Sequence, residues 1–269
     1  MKGFSAEWLA LREPYDARAR NPAVLAAVGK YFAAAPAVAV VDLGCGTGAT
    51  LRAIGARLPA RQSWLLVDND LSLLGKVATL FRPPALAVKA QPVDLVRDLE
   101  LALDGPLDLV TASAVLDLVS AEWLDRLVVE AAVRRLPLYA ALSYDGRISL
   151  QPKDAYDAEI IAALNRHQTG DKGFGPALGP QATMQAITRF ERVGYSVVQG
   201  RSDWELVPDD RSIQMEVLGG MAAAAQDLDD LPVARVAGWL SRRHDLVTKG
   251  RSTLRLGHVD FFAAPGAAH

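Results

Sequence analysis

Residues 38–48, VAVVDLGCGTG, set an apolar run broken only by Asp42 directly against three glycines. Continuous apolar, β-branched sequence of this length reads as a strand buried on both faces, the habit of parallel sheets. Glycine just after it lets the chain turn tightly and brings bare backbone close to a ligand. The next segment, ATLRAIGARL, has helical periodicity and would aim its N-terminus at that ligand. Such a strand needs helices on both sides, and the chain supplies them. SWLLVDND, ALAVKAQPVDL, LDLVTASAVLDLV and PLYAALSYDGRISL read as further strands, with LSLLGKVATLF and AEWLDRLVVEAAVRRL as helices. Strand and helix alternate four times over 38–143, which implies a parallel sheet, helices on both faces and right-handed crossovers.

The flanks are less regular. The first thirty-odd residues read as helix, with Pro14 and Asn21-Pro22 expected to break it into short pieces. DAYDAEIIAALNRH reads as helix, TGDKGFGPALGP as loop, and QATMQAITRFERVG as a helix ended by Gly194. YSVVQGRSDWEL reads as one strand, 210–248 as two helices, and LGHVDFFAAP as a final strand. No repeat or linker divides the 269 residues. The expectation is one domain over 1–269: an N-terminal helical cover (1–36), a cofactor-binding core (37–143) and acceptor-side elements with insertions (144–269). Hydrophobic residues at 51% are enough for one sizeable core. The single cysteine, Cys45, excludes an intrachain disulfide. No apolar run is long enough to span a membrane, and MKGFSAEWLALREPYDARAR lacks the apolar core of a signal peptide. A cytoplasmic protein is expected.

Asp42 narrows the ligand of the glycine turn. Gly44, Gly46 and Ala49 satisfy a loose G-x-G-x-x-A dinucleotide pattern. A carboxylate two residues before the first glycine would repel a pyrophosphate by roughly 1 kcal/mol or more in a partly buried site. The same carboxylate would hold a cofactor bearing an ammonium group. S-adenosylmethionine (SAM) carries an α-ammonium and a sulfonium, and no phosphate.

With that motif, VVDLGCGTG resembles the first motif of the class I SAM-dependent methyltransferases, and the likeness extends over 38–143. The resemblance implies a Rossmann-like, mostly parallel seven-stranded sheet with helices on both faces, extra N-terminal helices and helical insertions around the late strands. It implies SAM as cofactor and S-adenosylhomocysteine (SAH) as product. Carried over by position, Asp42, Gly44, Cys45, Gly46 and Gly48 border the methionine moiety. Asp68 would bond the ribose hydroxyls, and its place twenty residues past Gly48 agrees with that on spacing alone. Asn69 and Asp70 stand ready to share the task. Asp94 would cap the adenine amino group with Leu95 beside the ring, although P-V-D-L is also ordinary turn sequence. Ser113 and Ala114 would face the cofactor. Cys45 itself reads as a small turn filler, with no basic partner nearby in sequence.

The acceptor side is read from position. Ligands of open α/β sheets lie over the carboxyl ends of the strands. Asp117, just past the fourth strand, is a candidate general base or acceptor anchor, and equally a helix-start acid near Ser120. Tyr144 and Arg147 are pocket candidates after the fifth strand, with Asp145-Gly146 between them read as a turn. The loop 165–175 is polar and glycine-rich, a candidate lid or acceptor loop, and His167 in it is the histidine best placed for acid–base work. His244 and His258 read as surface and strand residues, and His269 ends the chain. Four scattered histidines and one cysteine make no metal site. Arg12 could meet the SAM carboxylate or an anionic acceptor, since guanidinium matches carboxylate geometry. Trp204 is expected to pack on the sheet, with Arg201 reaching toward a site.

The function these features favour is methyl transfer to a small or medium-sized metabolite by in-line displacement. With 29 Lys+Arg against 31 Asp+Glu, the net charge of −2 argues against a large nucleic-acid footprint. The alternatives are a tRNA or protein methyltransferase, a non-catalytic SAM-binding regulator, and, against Asp42, a nicotinamide oxidoreductase. Nothing in the sequence selects an acceptor atom or an oligomeric state.

Overall fold

Parallel pairing of buried strands is what positions everything else in the computed structural model, which describes residues 4–77 and 86–266. In the core, β1 (Val38–Leu43) pairs in parallel with β2 (Gln62–Asp68) on one side and β4 (Leu109–Ser113) on the other. β3 (Leu86–Pro92) extends the sheet beyond β2, and β5 (Leu138–Gln151) beyond β4. β8 (Thr253–Pro265) lies antiparallel between β5 and β6 (Tyr195–Arg201). The order is β3-β2-β1-β4-β5-β8-β6. Because β1 leads one way to β2 and β4 lies on its other side, the crevice above their carboxyl ends is a topological switch point.

The sheet has eight strands rather than seven. The segment expected as one strand breaks at Ser202-Asp203, and its second half forms β7 (Trp204–Leu206), also antiparallel to β8. β5 and β8 are long enough to run past the core and carry this extra strand. Asp145-Gly146 is therefore not a turn. It lies inside β5 at an irregularity between Tyr144 and Ile148, where Gly146 takes φ +86°. A second irregularity, between Ala140 and Ser143, contains Leu142 at φ +56°. Extra residues at such points bend the strand and re-aim its side chains.

Helices cover both faces. On one lie α2 (Pro22–Phe32), α3 (Ala49–Ile54) and α4 (Leu71–Val77), whose apolar residues pack with Val40, Trp64 and Leu66. On the other lie α5 (Leu99–Ala102), α6 (Ala121–Arg134) and α8 (Ala182–Arg192), packed with Val41, Val110 and Phe261. A third cluster joins α7 (Asp157–His167), α9 (Arg211–Asp227) and α10 (Val233–Thr248) to the extended ends of β5, β7 and β8. Arg243, fully buried there, is held by Asp157 and by the Pro152 carbonyl at 2.7 Å. The continuation of α4 expected over 78–81, and His269, lie outside the described residues.

The N-terminal helix departs from expectation. α1 (Ala6–Ala19) runs through Pro14 without ending, and only Asn21-Pro22 stops it. An interior proline costs about 3 kcal/mol. Tertiary contacts on both sides of it offset that cost: Trp8 and Tyr15 pack on Trp204, and Tyr15 donates to Asp210 at 3.1 Å. Among the described residues, no helix is long and apolar enough to cross a membrane.

Candidate active site

The carboxyl ends of β1, β2, β3 and β4 open into a cavity of about 710 Å³. Gly44, Cys45 and Gly46 line it from the turn after β1, Asp68 to Leu73 from beyond β2, Val93 to Val96 from beyond β3, and Ser113 to Val115 from beyond β4. The remaining walls come from α1 and the residue after it, from Leu118 and Leu142, and from Lys172, Gly173 and Phe174.

Glycine is required at the turn. Gly44 and Gly46 have φ +66° and +53°. A Cβ on Gly44 would stand 2.9 Å from Val115 Cγ2, and one on Gly46 3.1 Å from Leu9 Cδ1. Leu9 of α1 thus lies directly over the turn. Two non-glycine residues also take left-handed backbone at the cavity wall: Ala114 (φ +53°) at the end of β4 and Leu142 in β5. Each such residue costs of order 1–3 kcal/mol, and strain of this kind gathers at functional sites.

Asp68 faces the cavity with both oxygens engaged. Oδ2 accepts the Gly46 N–H at 2.9 Å and Oδ1 the Asp70 N–H at 3.0 Å. Asn69 and Asp70 stand beside it on the same wall. Asp94 lines the cavity and is also a turn acid: Oδ1 accepts the Val96 N–H at 3.0 Å and Oδ2 accepts from Arg97 at 2.8 Å. Arg97 holds the Asp94 carboxyl below its ordinary range. Leu95 is buried at the wall, and its carbonyl takes the indole N–H of Trp123 at 2.6 Å.

Asp42 lies one layer behind the cavity rather than on its wall. It is 1% exposed; Oδ1 accepts from Thr111 at 2.7 Å, and Oδ2 has no partner. Burial pushes its carboxyl up to about 7, opposed by Thr111, Arg20 and Thr50. Asp42 lies within β1, with Leu43 between it and the turn. Gly48 is likewise off the wall, at the N-cap of α3 with φ +81°. Burial drives the Cys45 thiol far up, so the sulfur is a protonated filler and not a nucleophile.

Sequence reasoning missed Arg20. It is 5% exposed, lines the cavity, and donates to Tyr139 Oη and to Ser113 Oγ, each at 3.0 Å. Its Nε is buried without a partner. Ser113 Oγ also takes a bond from Thr50 at 3.1 Å. Asp260, buried in β8, fixes this corner by accepting the N–H of Asn21 and of Leu142, both at 2.8 Å. Arg12 does line the cavity. Its guanidinium is bidentate to Asp16 at 2.8 and 3.2 Å and lies 5.2 Å from the centre of the Trp204 ring.

The three acceptor-side candidates do not border the cavity. Asp117 is buried with Oδ1 unpartnered, and burial pushes its carboxyl up to about 6. Tyr144 is buried, donates to Asn165 at 2.7 Å, and sits edge-on to His258. His258 is buried too, and desolvation, followed by the charge of Arg12, holds it down to about 3, so it is neutral. His167 stands behind the cavity, in contact with Lys172. Arg147 is spent on Asp145 and Asp203, and Arg201 is exposed on β6, off the cavity wall. Trp204 packs on the sheet as expected, donating to Asp16 at 3.0 Å.

A family model described as a methyltransferase domain matches residues 40–136. No curated protein matches the chain. Among solved structures, the chain is similar to the YcgJ protein of Bacillus subtilis, at 13% identity over 92% of this chain and 100% of that one, TM-score 0.52. The BH2331 protein of Bacillus halodurans matches at 14% identity over 91% and 100%, TM-score 0.50. The mycolic acid cyclopropane synthase CmaA1, solved with SAH and CTAB, matches at 12% identity over 89% and 81%, TM-score 0.50. Likeness at these identities is likeness of fold.

Proposed function

As a class I SAM-dependent methyltransferase, with its family domain spanning residues 40–136, this chain, we propose, transfers a methyl group to a small or medium-sized metabolite by in-line displacement. The carrying observation is the cavity. Its volume of about 710 Å³ is in the range of small-molecule sites. Residues of α1 and residues 172–174 complete its walls.

The residues present fit SAM. The left-handed Gly44 and Gly46 offer a backbone cradle that a side chain would fill. Asp68 has lone pairs to spare for ribose hydroxyls, since each oxygen accepts one backbone N–H. Arg20, buried with an orphaned Nε, suits the methionine carboxylate, and a bound ammonium would draw Asp42, raised to about 7 behind the turn with an orphaned Oδ2, into its ionised form. Asn69, Asp94, Leu95, Ser113 and Ala114 complete the proposed cofactor wall. When bound, SAM supplies an electrophilic methyl on a sulfonium, already a good leaving group. The protein's share is then alignment, exclusion of water and removal of the acceptor's proton. The reading is tested by incubating the protein and SAM with the low-molecular-mass fraction of a cell extract and comparing masses. A new compound one methylene heavier than its precursor supports it; a product found only in RNA or protein overturns it.

A further inference from the structure

Three cations line the cavity, and two are committed. Arg12 is bidentate to Asp16, and Arg20 is bonded to Tyr139 and Ser113. The third, Lys172, has no ion pair within direct reach among the described residues; its Nζ lies 3.1 Å from Nδ1 of His167. The carboxylate of Asp227 beside Nε2 only accepts, so His167 carries its proton on Nε2 and Nδ1 accepts from Nζ, which donates whether charged or neutral. Nε2 lies 3.4 Å from Oδ2 of Asp227, which is exposed. One tautomer satisfies both contacts, and the chain Lys172–His167–Asp227 runs from the cavity wall to water.

The loop fixes Lys172 in place. Asp171 Oδ1 accepts the N–H of Gly173 at 2.6 Å and of Gly175 at 3.0 Å, with both glycines at positive φ. Phe174 packs edge-on against Trp123, and the Leu178 N–H donates to Val119 at 2.8 Å. An amine held this way at a cavity wall, with a base behind it and an outlet behind that, is built for proton transfer.

We propose that Lys172 is the general base of methyl transfer, with His167 as the positioning residue that passes the proton toward Asp227 and solvent. The inference rests on the methyltransferase reading above. The acceptor's X–H electron pair closes on the methyl carbon as the carbon–sulfur bond leaves its pair on sulfur. The acceptor proton goes to the Nζ lone pair. The resulting ammonium yields one proton to Nδ1 of His167, and the imidazolium releases its Nε2 proton to water beside Asp227. The amine is restored, His167 returns from its Nδ1–H to its Nε2–H tautomer by proton exchange with water, and the net products are the methylated acceptor, the thioether and one proton. Burial lowers the basicity of Lys172, opposed by the charge of Asp227. The titratable groups facing it are His167 from α7, Asp227 from α9 and Asp171 from its own loop. An amine base suits an acceptor whose O–H or N–H proton has the acidity of phenols or alkylammonium ions rather than of aliphatic alcohols.

The first test needs no acceptor. In protein labelled with ¹³C-lysine, the Lys172 Cε signal is identified among seven lysines by its loss in Lys172→Met. It is expected to titrate below the exposed lysines, and lower still in Asp227→Asn. Titration together with the exposed lysines overturns the proposal. The second test measures label transfer from SAM into the small-molecule fraction of an extract. Lys172→Met and Lys172→Arg are both expected to lose about 100-fold or more, because arginine keeps the charge but cannot act as a base. Calorimetric SAH affinity stays near wild type in both. Lys172→Arg within about tenfold of wild type would assign Lys172 to charge alone and overturn the proposal. If the wild type transfers no label, the methyl-transfer reading fails, while the titration still decides the state of Lys172.

Discussion

Replacing Asp68 with alanine probes the cofactor site at its most sharply defined contact. The carboxylate holds the turn through the Gly46 N–H at 2.9 Å and the loop after β2 through the Asp70 N–H at 3.0 Å. Each oxygen then has a lone pair left for one ribose hydroxyl. Hydrogen bonds to a charged group contribute about 1.5–3 kcal/mol each. Losing two removes about 3 kcal/mol at the low end, a weakening of SAH binding of about 100-fold. Freeing the Gly46 N–H loosens the cradle and adds to the loss. The assay is calorimetric titration of SAH into wild type and Asp68→Ala, with thermal unfolding of both to show that the variant is folded. SAH affinity within about threefold of wild type, in a folded variant, would remove Asp68 from the site and refute the reasoning.

Gly46→Val is expected to abolish SAH binding, because φ +53° strains a β-branched residue and its Cβ would meet Leu9 at 3.1 Å; normal binding by calorimetry would move the cofactor elsewhere. Asp42 gives a pH prediction. Burial raises its carboxyl from 3.8 to about 7, so the folded protein keeps a proton that the unfolded chain has released. Stability therefore falls as pH rises through this window, by up to about 4 kcal/mol from this group. Urea unfolding of wild type and Asp42→Asn across pH 4 to 8 should show that extra slope in the wild type alone, and parallel curves would contradict it.

What the sequence made legible was what neighbours in the chain decide. The apolar run into Gly44 located β1 and the turn after it, the alternation over 38–143 gave a parallel sheet with helices on both faces, and spacing placed Asp68 on the cavity wall. The misses depend on distant partners. Arg20 sits in an unremarkable ARAR stretch and is drawn inside by Tyr139, 119 residues away, and by Ser113. Pro14 stays helical because Trp204 and Asp210 hold both sides of it. Asp145-Gly146 has the chemistry of a turn, yet β8 pairs with β5 on both sides of it and keeps it within the strand. Asp117 stands at the right sequence position, but its side chain faces away from the cavity, within reach of Arg12 and the Tyr144 backbone. The polar loop 165–175 was marked by composition; that Lys172 and not His167 lines the cavity follows only from the fold of its glycines.

The most direct test of the account is the fate of a labelled methyl group. Wild-type protein and Gly46→Val are each given methyl-labelled SAM and a cell extract, and the products are split into dialysable and polymeric fractions. Label in a dialysable compound other than SAM, with wild type only, is the predicted result. Label confined to polymer and released by nuclease or protease would contradict a metabolite acceptor, and equal label with Gly46→Val would contradict the glycine turn as the cofactor site.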